Sequence, residues 1–265
     1  MFVDMSLPQP SGGFEWAQES WGDSLRCPPL MNVAHHCFST RQLRLDGVRN
    51  DDRASWNGLA HALGIEPENL VRLRQVHCTD VYVAERGKLH PTAYADWPEA
   101  DIAVSDDLST ALSVRAADCV PILLADRRGG VVAAIHAGWK GTAAGAVMVA
   151  VRSLASKFGT PPAEVIAAVG PSIGPCCYEV GPDLAAHFAS HPDAATWFTN
   201  HARPHLNLWR ATRDQLMRAG VSAAQIHVCE LCTFDHPALF HSYRRDGKNA
   251  GRLVAAIRSA RGTTP

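Results

Sequence analysis

Charge of one sign is scarce in excess: 25 Lys and Arg stand against 26 Asp and Glu across 265 residues, a net charge of -1. Without a basic surplus, nucleic acid is not an expected partner. No apolar run approaches the roughly 20 residues that a membrane-spanning helix requires, so no membrane partner is expected. Met1 to Gly13 lacks a basic segment followed by an apolar one, and no signal peptide is read there. A cytoplasmic protein is the resulting expectation. Phosphate-cradling signatures are also missing: there is no G-x-G-x-x-G, no P-loop and no serine nucleophile elbow. The H-x-E pattern of the zinc deaminases is absent too, so any deamination must use another base. No internal repeat, low-complexity segment or Gly/Ser linker divides the chain.

Cysteine, by contrast, is plentiful. The eight are Cys27, Cys37, Cys78, Cys119, Cys176, Cys177, Cys229 and Cys232. In a reducing compartment they stay thiols, which predicts no structural disulfide and leaves metal ligation, nucleophilic chemistry or packing as their uses. Cys229-Glu230-Leu231-Cys232 is a CxxC, and with the vicinal Cys176-Cys177 it could form a structural four-cysteine zinc site. Packing, or lining a pocket, is the plainer reading of these thiols, and the four-cysteine site is the alternative to it.

Periodicity outlines the elements. Residues 1–30 are rich in Pro and Gly and read as a loose N-terminal arm. Trp56, Leu59, Ala60 and Leu63 recur at helical spacing between Asp51 and Gly64. Leu70–Ala84 reads as a strand-like run centred on Gln75-Val76-His77. Ala111–Val114, Val120–Ala125, Val131–Ile135 and Val165–Val169 read as strands, and a helix is expected from about Thr142 to Phe158. Pro182–His191 and Leu206–Gly220 look helical, whereas Gln225–Cys229 and Phe240–Tyr243 look extended. Arg252–Ile257 fits either a strand or a helix. Strands alternating with helices give an α/β or α+β class, with a mixed sheet flanked by helices and one domain over residues 31–265.

Reactive side chains stand where these runs end. His77, Cys119 and His136 each sit at a strand–loop junction, the usual place for reactive groups in α/β enzymes. Two imidazoles and one thiolate make a three-ligand zinc set with a fourth position open, the pattern of catalytic sites. Ordinary core or surface positions are the plainer alternative. Asp118, beside a ligand, is a proton carrier or a turn residue. Arg244 precedes Arg245-Asp246-Gly247 and could grip phosphate, or could form a solvated turn. Trp139-Lys140-Gly141-Thr142 at a helix start could also meet an anion.

Five motifs in order carry a resemblance. They are Gln75-Val76-His77, Asp118 to Leu123, His136 to Gly141, Gly170 to Val180, and Cys232-Thr233 with Ser242 to Asp246. Together they resemble the laccase-domain family, also known as multicopper polyphenol oxidase or zinc-dependent purine nucleoside phosphorylase and adenosine deaminase. The resemblance implies zinc on His77, Cys119 and His136, with copper as the alternative metal. It implies phosphorolysis of adenosine, inosine and methylthioadenosine, with adenosine deamination, and so a purine nucleoside and phosphate as partners. Arg41, Lys140 and Arg244 are then the phosphate-binding candidates, and Asp118 joins the ligands as a catalytic candidate. A Cys–His amide hydrolase acting on peptidoglycan precursors and a copper-dependent polyphenol oxidase are the alternative activities. The chain departs from the family pattern in places. Ser39-Thr40-Arg41 lacks the usual Gly-rich continuation, Asn57-Gly58 stands where Asn-Arg is usual, and Lys140 replaces a more common Arg.

Overall fold

Strands that are apolar on both faces need cover on both sides, and that demand shapes the molecule. The structure, a computed structural model, describes residues 7–45, 52–199 and 203–260. Residues 1–6 of the expected arm, Asp51 at the expected helix start and residues 261–265 lie outside the described residues.

The first half runs β1 (Glu15–Glu19), β2 (Gly22–Arg26), α1 (Pro28–Met31), β3 (Ala34–Ser39), α2 (Arg53–Ala62), β4 (Leu70–Val71), β5 (Val81–Ala84) and β6 (Ile102–Ser105). Next come β7 (Ala111–Ala116), β8 (Val120–Asp126), β9 (Val132–Ala137), α3 (Trp139–Ala143), α4 (Ala146–Phe158) and β10 (Val165–Val169). The chain closes with α5 (Leu208–Arg218), β11 (Ile226–Val228), α6 (Tyr243–Asp246) and β12 (Leu253–Ser259). Two six-stranded sheets result, ordered β1-β2-β3-β12-β7-β4 and β11-β10-β8-β9-β6-β5. Both are mixed: β4 pairs with β7, β5 with β6 and β10 with β11 in parallel, and the remaining pairs are antiparallel.

Alternation along each strand separates the layers. Val120, Ile122 and Leu124 of β8 face Val147, Val151 and Leu154 of α4, together with Leu216 of α5. Leu123 and Ala125 face the other way and meet Leu112, Val114, Ala255 and Ile257 of the first sheet. The outer face of that sheet, through Ala111, Val254 and Ala256, is covered by Trp56, Leu59 and Ala60 of α2. The order is therefore helix, sheet, sheet, helices, an α/β architecture with mixed sheets. Its cores are built from period-2 strands and one apolar helix stripe per face.

Several expected elements differ. The arm is not loose between Glu15 and Arg26: β1 and β2 form a hairpin that joins β3 through Ser24 and Leu25. Gln75-Val76-His77 is the middle of a loop between β4 and β5, because the Gln75 side chain and the Val76 N–H bond to Arg115 and Asp101 instead of extending a ladder. The helix expected from Thr142 is cut by Gly145, whose left-handed backbone (φ 75°) ends α3 before α4 begins. Pro182–Phe188 is 3-10 helix. Phe240–Tyr243 is not a strand; Ser242 caps the single turn α6, accepting from the Arg245 N–H. Arg252–Ile257 resolves as strand, since Leu253–Ser259 fills the slot between β3 and β7. The strands β1, β2, β3 and β6 had no counterpart in the periodicity.

Candidate functional site

Both sheets end at one cavity. His136 lies in β9, fully flanked by paired strands, while Cys119 sits in the short β7–β8 turn and His77 in the β4–β5 loop. The two loop positions are conformationally costly. His77 has φ 63° and Asp118, next to Cys119, has φ 87°, a region that L-residues other than Gly seldom occupy. Side-chain bonds hold them there. Gln75 accepts from the Arg115 N–H at 2.8 Å and donates to the Arg115 carbonyl at 2.7 Å, so it continues the edge of β7 like a backbone partner.

Asp101 is the second tie, and sequence reasoning missed it. It is fully buried just before β6, and its Oδ1 accepts from His136 Nδ1 at 2.7 Å. Its Oδ2 accepts from the backbone N–H of Val76 at 3.0 Å and of Cys78 at 2.9 Å. One carboxylate thus fixes the tautomer of one imidazole and the loop carrying the other. A lone acid opening the apolar run Ile102–Ser105 was the available signal.

The donor atoms of His77, Cys119 and His136 lie within 4.8 Å of one another. Cys119 Sγ stands 3.9 Å from His77 Nε2, and the two imidazole rings are 5.0 Å apart in an edge arrangement. Burial alone would push the Cys119 thiol up; His136 and His77 beside it outweigh that and bring it down to about 6. Burial likewise disfavours a charged His136, but Cys119 and Asp101 lift it to about 9. Burial opposes the charge on Asp101 as well, yet His136 and the two N–H donors hold its carboxyl at about 2. The two histidines thus favour the Cys119 thiolate, the form that ligates metal or attacks carbon. Gly138 closes the site from the β9–α3 junction. A Cβ there would fall 2.7 Å from Cys119 Sγ, so only glycine allows this approach.

A cavity of about 610 Å³ opens in front of the trio. Arg115, Lys140, Arg244 and Arg252 supply positive charge to its wall, and Tyr94, Trp139, Tyr178 and Tyr243 supply ring faces. Arg244 lies over the Tyr178 ring at 5.1 Å and donates to the Glu179 carbonyl at 2.8 Å. Lys140 lies near the Trp139 ring at 5.7 Å. Arg41 does not line the cavity; its guanidinium donates to the Pro237 carbonyl instead. Asp118 lines the wall, but its carboxylate is already engaged. It accepts from Thr233 at 2.6 Å, Ser242 at 3.0 Å and the Arg244 N–H at 2.6 Å. Arg245 is structural, donating to the carbonyls of Thr233, Phe234 and Phe240.

The family model described as multi-copper polyphenol oxidoreductase laccase matches residues 44–260. The chain belongs to this family. It is 37% identical over 242 residues to a purine nucleoside phosphorylase of Streptomyces coelicolor, covering 86% of this chain and 96% of that one. It is 36% identical over 246 residues to a purine nucleoside phosphorylase of Deinococcus radiodurans, covering 88% and 91%. Among solved structures it superposes on the hypothetical protein YfiH of Bacillus licheniformis with a TM-score of 0.83 at 27% identity, over 91% of this chain and 97% of that one. YlmD of Geobacillus stearothermophilus gives a TM-score of 0.81 at 29% identity, over 95% and 100%.

The laccase-family trio suits a metal. With His136 Nδ1–H committed to Asp101, its Nε2 is left as the donor, the carboxylate–histidine arrangement common behind metal ligands. The four-cysteine expectation is corrected. Cys176, Cys177 and Cys232 do gather, but Cys229 is buried between the two sheets, because β11 turns its side chain into that core. All eight cysteines carry free thiols. Among the described residues no helix is long and apolar enough to cross a membrane.

Proposed function

We propose that this chain is a zinc-dependent purine nucleoside phosphorylase, cleaving adenosine, inosine and methylthioadenosine with phosphate, with adenosine deamination as a second activity in the cytoplasm. The observation that carries the reading is four cationic side chains and four aromatic rings lining one cavity beside the His77, Cys119 and His136 trio. Its volume, about 610 Å³, is in the range of small-molecule sites. Among the described residues Asp118 is the one carboxylate in the lining, and it spends its acceptors inside the protein. Net positive charge therefore faces the interior, as an anionic co-substrate requires.

In phosphorolysis a phosphate oxygen bonds to the ribose C1′, the C1′–N bond breaks, and the base leaves with a proton. Arg244, Lys140, Arg115 and Arg252 bind the phosphate and orient it, the arginines through a planar fork. Tyr178 and Trp139 offer faces for the purine. His77, Cys119 and His136 would hold the zinc, which would supply a fixed Lewis-acidic charge at the wall. Asp118 acts as a positioning residue, holding Arg244 through its backbone N–H.

A second reading has its own support: the low-lying Cys119 thiol against His136 resembles a nucleophile–base pair, as in a Cys–His amide hydrolase. Chromatographic assay with adenosine and inosine, with and without phosphate, separates the two. Ribose 1-phosphate and free base formed only with phosphate are expected, with ammonia from adenosine in either case. Hydrolysis of an amide by metal-stripped protein, with every nucleoside untouched, would establish the second reading.

A further inference from the structure

A second group of ligand-type side chains lies outside the cavity. The Sγ atoms of Cys176, Cys177 and Cys232 are within 4.8 Å of one another. None of the three lines the cavity. Cys232 is buried, Cys177 half-buried and Cys176 exposed, so the group has a closed floor and an open entrance.

The surrounding backbone is shaped to the sulfurs. The Gly174 N–H donates to Cys232 Sγ at 3.3 Å, which fixes where that sulfur points. At Gly174 a Cβ would stand 2.5 Å from the Trp209 ring and 3.2 Å from Cys176 Sγ, so the turn admits no side chain. Cys177 and Tyr178 both bond back to the Gly174 carbonyl, at 3.0 Å each, which curls the chain around that point. Ser172 and Cys232 pair as an isolated bridge, locking the two cysteine-bearing segments together.

We propose that Cys176, Cys177 and Cys232 form a second metal site, taking one thiophilic d10 cation, Zn2+ or Cu+, on three thiolates. Soft sulfur ligands select such ions over Mg2+ or Ca2+. Zn–S bonds are about 2.3 Å long, so sulfurs this close need only a small contraction. A free cysteine carries its proton at neutral pH, and the thiolate is the form that ligates. Each thiol that ligates releases one proton, and affinity rises with pH. No electron is transferred. The site ties to the cavity wall through Thr233, which follows Cys232 and donates to Asp118, and through the Ile173 N–H, which donates to the Asp118 carbonyl at 2.9 Å. An ion there would stiffen the wall that carries Tyr178. This inference does not depend on the nucleoside reading.

The full chain, reduced and kept under argon, is titrated with Zn2+ and separately with Cu+ against a chromophoric chelator. Two Zn2+ per wild-type chain are expected, against one in Cys176→Ser and one in Cys177→Ser. Each variant should lose more than the roughly 10- to 100-fold that removing an outer partner costs. Cu+ added to zinc-loaded chain should give a sulfur-to-metal ultraviolet absorption that survives Cys119→Ala and disappears in Cys177→Ser. Cys176 is exposed, so its serine variant is expected to fold and keeps the test decisive. A wild-type chain that binds a single ion, or a second ion that both serine variants retain, overturns the proposal.

Discussion

Asp101 has no solvent exposure and joins His136 to the loop that presents His77. Replacing it with Asn keeps an acceptor for one partner but turns an NH2 group towards donors. Asp101→Asn is expected to weaken zinc binding by about 10- to 100-fold, the usual cost of losing an outer partner of a ligating histidine. Competition with a chromophoric chelator measures it; an affinity within twofold of wild type would remove Asp101 from the metal centre. His36, in β3, is the other buried side chain with a clear consequence. Its Nε2 accepts from the Cys27 N–H at 2.9 Å, and burial, with Arg26 and His35 adding nearby positive charge, holds it down at about 4. The unfolded chain, with an ordinary histidine near 6.5, binds the extra proton first as pH falls. Stability is therefore full above about pH 6.5, and is lost as pH drops towards 4. Between pH 7 and pH 5 this single group should remove about 2 kcal/mol, read by urea unfolding. His36→Gln, which retains an acceptor, should flatten that interval, and an unchanged slope would assign the acid sensitivity elsewhere.

At the scale of elements, the β9–α3 junction shows how tightly the site is built. Gly138→Ala would place a methyl group 2.7 Å from Cys119 Sγ and 3.4 Å from His77 Cδ2. Either the sulfur or the junction must move, so the variant is expected to fold yet bind zinc at least about 10-fold more weakly. Normal zinc content by elemental analysis would show that the junction gives instead. The junction was legible in sequence because His136 ends an apolar run and Gly138 follows it. Strands β8, β9 and β10 were legible for the same reason: buried on both faces, they read as unbroken apolar runs. Strands β1 and β2 were not. Glu15–Glu19 is a polar edge strand and Gly22–Arg26 joins it to β3, so their order comes from pairing between strands, which local periodicity cannot register. The β4–β5 loop failed in the opposite direction. Val71, Leu73, Val81 and Val83 alternate like a strand, yet the ladder stops at Val71, because Gln75 and the Val76 N–H bond to Arg115 and Asp101 instead. His77, Cys119 and His136 could be picked out despite such errors, because a His or Cys beside an apolar run is visible whatever the local backbone does. Arg115 and Arg252 escaped because they reach the cavity from strand positions in or beside β7 and β12 that only the sheet order brings together.

Across the whole molecule, two sheets and the Ser242–Asp246 turn converge so that cations from distant parts of the chain face one volume. Phosphorolysis requires a dianion at that place, and the two cations foreseen there differ in how they are held. Arg244 is fixed by the Tyr178 ring, the Glu179 carbonyl and the bond from its own N–H to Asp118. Lys140 is exposed, and among the described residues the Trp139 ring is the one partner of its ammonium. A fork held in place loses less freedom when it grips phosphate than a free ammonium does. Arg244→Ala is therefore expected to raise the KM for phosphate more than Lys140→Ala. The loss should be about 1.5–3 kcal/mol, or roughly 10- to 150-fold in kcat/KM. Deamination of adenosine consumes water and not phosphate, so it should be spared in the same variant. Arg41→Ala, whose guanidinium is bonded to Pro237 away from the cavity, should leave the phosphate KM unchanged. Steady-state kinetics with adenosine at varied phosphate measures all three. If Arg244→Ala depresses phosphorolysis and deamination equally, Arg244 supports the nucleoside or the wall, and phosphate must be gripped by Lys140, Arg115 or Arg252.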